Sequence, residues 1–119
     1  HQDMNYRSVF WTINLVYSTK AEQLENICNE IENYINDSEN FVQNPGQENF
    51  VRVTELGSSS IDLTILCYMD VIDYTQFSQV KQELIFKIME AVEAHKSDFA
   101  FPSRSIYIEN DLNTNLINK

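Results

Sequence analysis

Chemistry in a protein of this size usually needs histidine, paired cysteines, glycine-rich loops or facing carboxylates, and each can be checked along the chain. Beyond His1, the sequence holds one histidine, His95. It falls near the predicted end of a helix, where an imidazolium is favourably placed against the helix dipole. Capping or solvation accounts for it without a ligand. Cys28 and Cys67 are the two cysteines. Both fall on apolar faces, so both are read as reduced, buried thiols and not as a disulfide framework. Glu22, Glu25, Glu30 and Glu32 crowd one segment. They could be drawn as a cation site, but a charged outer helix face is the commoner arrangement. Asp70 and Asp73 flank a predicted strand-to-helix turn, where capping explains Asp73. Gly46 and Gly57 stand apart, so no glycine-rich phosphate loop can form. Ser58, Ser59 and Ser60 read as a turn, and no histidine is placed to activate any of them. The sequence therefore nominates no catalytic residue, no metal ligand and no cofactor-binding residue, and the chain is read as a non-enzyme.

The elements are clearer than the chemistry. Val9, Trp11, Ile13, Leu15 and Tyr17 alternate with the period of a strand, and Phe10 and Val16 make its second face partly apolar. That predicts a strand with something resting on both faces. Thr19-Lys20-Ala21-Glu22 reads as a capping box. Leu24, Ile27, Cys28, Ile31, Tyr34 and Ile35 then recur at three and four, which predicts a helix ending at 36–38. Residues 39–48 read as a polar connection holding the turn signal Asn44-Pro45-Gly46. A second strand follows over 49–56, then a turn at Gly57-Ser58-Ser59. Ile61, Leu63, Ile65, Cys67, Met69 and Val71 alternate in the cleanest strand of the chain. Phe77, Val80, Leu84, Ile88, Ala91 and Val92 form a second helical stripe, widened by Ile85 and Met89 and running to about His95. A short strand is expected at 105–108.

Hydrophobic residues make up 43% of the 119, enough for one domain with a real core. The reading divides the chain into 1–7, a tag remnant or linker, 8–108, the domain, and 109–119, a polar and disordered tail. His1-Gln2-Asp3 ahead of Met4 suggests a tag followed by an excised fragment. The formal net charge is −10, from 18 acidic and 8 basic residues. Phosphate backbones and anionic lipid surfaces reward the opposite sign, so neither nucleic acid nor direct lipid contact is expected. No run reaches the roughly 18 apolar residues of a membrane span.

The order βαββαβ, with connections of ordinary handedness, predicts an α+β, ferredoxin-like fold: one four-stranded antiparallel sheet with two helices on one face. The first strand and the one beginning at Ile61 are expected at its centre.

Three motifs carry a family resemblance. Residues 50–65, Phe50 through the Ser58-Ser59-Ser60-Ile61-Asp62-Leu63 run, resemble a hairpin of the C-terminal domain of small-conductance mechanosensitive (MscS) channels. Phe99-Ala100-Phe101-Pro102-Ser103-Arg104-Ser105-Ile106-Tyr107 is similar to that domain's closing motif, with Ala100 and Ser103 departing from it. Trp11-Thr12-Ile13-Asn14-Leu15-Val16-Tyr17 resembles its first strand. The resemblance covers about 7–108. It implies a domain on the cytoplasmic side of the inner or plasma membrane, within a homoheptamer that releases solutes during osmotic downshock. It also implies that the rest of the same chain lies in the membrane and that this domain shapes and filters the path. Other readings stay open on the residues themselves. The domain of a cation-efflux transporter would want more histidine ligands. An acylphosphatase-like enzyme would want an arginine in the turn at Ser18-Thr19-Lys20. A small-molecule-sensing module would want a glycine there.

Overall fold

The computed structural model describes residues 6–43, 48–70 and 73–100. Its elements run β1 (Arg7–Leu15), α1 (Ala21–Asp37), β2 (Phe41–Val42), β3 (Phe50–Leu56), β4 (Ile61–Met69) and α2 (Tyr74–Ala94). The strands form one four-stranded antiparallel sheet, an α+β arrangement. β4 lies at its centre. Along one edge it pairs with β1 without interruption, from Arg7↔Met69 to Leu15↔Ile61. Its other edge is shared end to end: β2 takes Met69 and Tyr68, and β3 takes Leu66 to Ile61, with a bulge between Val53 and Glu55.

Strand alternation explains which face is covered. Ile61, Leu63, Ile65, Cys67 and Met69 point one way and are all nearly or wholly buried. Val9 and Leu15 of β1 and Val51 of β3 share that face through the pairing register. They join Ile27, Ile31 and Ile35 of α1 and Val80, Leu84, Ile88 and Ala91 of α2 in one core cluster. Both helices therefore rest on one side of the sheet. On the other side Phe10 is 69% exposed, so the cover expected over the second face of β1 is not seen at that residue.

Several local expectations are revised. Residues 39–48 are not merely a connection, because Phe41 and Val42 form β2. Two residues are too few to show a period, yet Phe41 is 7% exposed and packs edge-on against Tyr34. Asn44-Pro45-Gly46, Val71 and the strand expected at 105–108 lie outside the described residues, as do 1–5 and the tail. α1 is entered from Lys20, not Thr19. The Lys20 backbone N–H donates to Gln23 Oε1 at 2.7 Å, so Gln23, not Glu22, reaches back. The Thr19 hydroxyl donates to the Val16 carbonyl and lies 2.7 Å from Ser97 Oγ, stapling the start of α1 to the end of α2.

α2 stops without a glycine. Lys96 takes the left-handed conformation, φ 64, and the N–H groups of Lys96 and Ser97 donate to Glu93 and Val92 carbonyls, each at 3.0 Å. That pattern closes a helix C-terminus, usually with glycine at the left-handed position. The chain then returns to β1: the Val16 N–H donates to the Asp98 carbonyl, and the Ala100 N–H donates to the Asn14 carbonyl. Phe99 is thereby set opposite Leu15.

Candidate functional site

The chemistry-bearing residues divide into those the fold uses up and those it leaves at the surface. His95 caps α2, its backbone N–H donating to the Ala91 carbonyl. Its ring also reaches α1: Nε2 lies 2.8 Å from Glu30 Oε1. Glu30 Oε2 lies 3.0 Å from Lys87 Nζ, and Lys87 Nζ is 3.5 Å from Glu90 Oε1. The result is a clamp across the two helices, completed by Gln23 Nε2 donating to the His95 carbonyl at 2.7 Å. Glu30 thus leaves the acidic group to which the sequence assigned it. Glu22 and Glu25 remain exposed, and Glu32 is half-buried.

The Lys87 ammonium, hydrogen-bonded to Glu30, holds its carboxyl below the usual carboxylate range, with His95 adding to the effect. The Glu30 carboxylate in turn raises Lys87. A lowered folded-state value means stability that is fully present above the unfolded value, about 4.3, and lost as pH falls through the folded value. The side chains are 22% and 27% exposed, so the pair contributes at most about 1 kcal/mol. Glu30→Gln should lower the urea midpoint slightly at pH 7. The difference from the parent chain should disappear as pH is taken below the carboxylate range. A deficit unchanged by acid would show that the clamp stabilises by packing and not by charge.

Cys28 and Cys67 are free and buried. Burial, with the nearby Glu32 charge adding, pushes the Cys28 thiol up to about 11, and burial pushes Cys67 to about 12. Neither is a nucleophile at neutral pH. Among the described residues, no three His, Cys, Asp or Glu side chains gather as metal ligands would.

Two of the concavities are lined wholly by described residues. One is an open polar cleft of about 490 Å³ between the helices, lined by Glu30, Asn33, Tyr34, Asp37, Ser38 and Lys87. Its lysine and Glu30 are already paired to each other. The other is an apolar groove of about 240 Å³ between β1 and α2, lined by Trp11, Ile13, Ile85, Ile88, Met89 and Phe99. The sequence read Ile85 and Met89 as a widened core stripe. They are instead 40% and 51% exposed, on the rim of this groove. Large apolar side chains left together at a surface mark a place where something docks. The groove is lined by no ionisable side chain, whereas in the cleft Glu30 and Lys87 are held by each other.

Residues 9–99 match the family described as Mechanosensitive ion channel MscS, C-terminal. An uncharacterised MscS family protein of Aquifex aeolicus is 40% identical over 105 residues, 88% of this chain and 28% of the relative. The low conductance mechanosensitive channel YnaI of Escherichia coli is 28% identical over 64 residues, 54% of this chain and 19% of that one. In structure, Arabidopsis thaliana MSL1 superposes with a TM-score of 0.73 at 15% identity, covering 85% of this chain and 36% of that chain. The chain thus spans well under half the length of each of these proteins. Among the described residues no helix is long and apolar enough to cross a membrane.

Proposed function

The chain belongs to the MscS C-terminal domain family, and from that premise we propose that it is the cytoplasmic vestibule domain of a mechanosensitive channel. The family match over residues 9–99 carries this reading. Residues 8–108 act as the domain. The parent protein assembles through copies of this chain, seven by the family's pattern, with other parts of the same chain in the membrane. The domain contributes contact surface and a filtered route for ions and small solutes, and it carries out no reaction. An all-apolar groove beside a sheet edge supports a role in assembly, and a formal charge of −10 supports a role in filtering. A water-filled space walled by one sign of charge concentrates counter-ions. Screening over about 8 Å confines the effect to carboxylates near the path. Glu22, Glu25 and Glu32 are the relevant group, because Glu30 is occupied by Lys87 and His95.

The test uses the full-length protein in liposome patches. Suction should open discrete conductances, and replacing Glu22, Glu25 and Glu32 by glutamine should lower the cation-to-anion permeability ratio at low ionic strength. A patch silent up to the lytic tension would overturn the channel reading. An unaltered ratio in a conducting patch would overturn only the filtering role.

A further inference from the structure

The apolar groove faces one edge of the sheet, and a second apolar patch sits on the opposite edge. β1 and β3 flank β4 on its two sides. On β3, Val53 is 41% exposed and Leu56 72% exposed. Val53 pairs with Leu63 and Leu56 with Ile61, which places both on the helix-bearing face of the sheet. Ile13 of the groove pairs with Leu63 from the other side and Trp11 with Ile65, so the groove opens from the same face. Glu55, between Val53 and Leu56, pairs with Asp62 and alternates to the far face.

We propose that the β1–α2 groove is the seat for a second copy of this chain, entered by Val53 and Leu56 at the β3 edge of its neighbour. This rests on the assembly reading above and names the surfaces that carry it. Two unlike patches on opposite edges of one molecule make a head-to-tail contact, and repeating such a contact around an axis closes a ring. A self-complementary patch would make pairs instead. Charge selects the same surfaces. Each copy carries −10, so copies repel wherever their carboxylates meet. All six residues lining the groove are uncharged and apolar, and the side chains that would enter it are aliphatic. Desolvating them against one another sets no carboxylate against another.

Cross-linking in the full-length membrane protein tests this. Met89→Cys and Leu56→Cys replace exposed residues, so the fold is expected to survive, and circular dichroism checks that. Cys28 and Cys67 are buried and serve as the silent background. The two substitutions combined in one chain should give a covalent ladder of multiples under mild oxidant. Neither single variant should give one, and adding Ile85→Glu should abolish it. An intact oligomer that conducts under tension yet yields no ladder overturns the groove assignment and leaves the family reading standing. A protein that is monomeric and silent overturns both. Pairing Met89→Cys with Phe101→Cys examines the other occupant, the chain's own continuation. A bond closed within a single chain there, in place of the ladder, also overturns the proposal.

Discussion

Truncating Leu84 to alanine is expected to destabilise the domain by about 2–5 kcal/mol. Leu84 is fully buried, near the middle of α2, in the same cluster as Leu63 and Ile65 of the central strand. The change removes apolar burial and leaves a cavity. Its walls are β4, which is paired on both edges, and α1, which is clamped by Glu30 to Lys87 and His95. β4 cannot move in without breaking its ladder bonds, so collapse from that side is limited. The urea midpoint should fall by about 1 M or more, with the slope unchanged. An unmoved midpoint would mean that α2 packs through a different face.

The second large effect is expected at Asn49, one of only three buried polar side chains among the described residues. β2 and β3 share one edge of β4 but do not meet, and Asn49 stands just before β3 begins. Its Oδ1 accepts from the Tyr68 N–H at 3.1 Å and its Nδ2 donates to the Val42 carbonyl at 3.2 Å. The carboxamide supplies both the acceptor and the donor that a strand backbone would have offered there. Asn49→Ala leaves a buried backbone donor without its partner and should cost about 1–3 kcal/mol. Amide exchange at Tyr68 should accelerate more than at Leu66, which keeps its strand pairing. Asn49→Asp keeps the acceptor but turns a carboxylate onto the Val42 carbonyl. Burial and that repulsion would raise the introduced carboxyl's folded-state value. Its penalty should therefore be greatest at neutral pH and shrink as the pH falls through that value, because the protonated acid can again donate. Equal penalties at pH 7 and pH 4 would show that the donor to Val42 contributes nothing.

Much of this fold is written in local periods. Ile61 to Met69 alternate because one face of β4 lies under the helices, and Ile27, Ile31 and Ile35 recur because α1 buries one stripe; both were legible. Phe41 and Val42 were not, since a two-residue strand exists only because Tyr68 and Met69 are there to receive it. Thr19 has the residue type of a helix cap, but the end of α2 competes for its hydroxyl and wins. Ile85 and Met89 show how a helical stripe reveals the width of an apolar face without saying how far the sheet extends beneath it. The clamp was hidden for a similar reason. Glu30 and His95 are 65 positions apart, and neither residue type announces the other. The groove and the Asn49 bridge are likewise products of tertiary placement. What the sequence did carry of function came through three family motifs and a negative charge, not through any reactive group.

The sheet's connectivity has a consequence for how the chain is made. Within this domain β1 is made before the other described elements, yet its only described strand partner is β4. Roughly fifty residues separate the two, so at usual elongation rates β1 waits about 3–10 s for a place to pair. β2, whose strand partner is also β4, cannot pair in that interval, and α1 lacks the sheet face it packs against. The β3–β4 hairpin is different: its turn closes on a 2.7 Å bond from the Gly57 N–H to the Ser60 carbonyl, and its two strands follow each other directly, so neither waits for a distant partner. The nascent chain thus carries Trp11, Ile13 and Leu15 on an unpaired strand until that hairpin presents its inner edge. During this window β1 is open to pairing with the same strand on a neighbouring nascent chain. Synonymous slowing of translation before Ile61 should lengthen the window and raise the aggregated fraction, whereas slowing after Met69 should not.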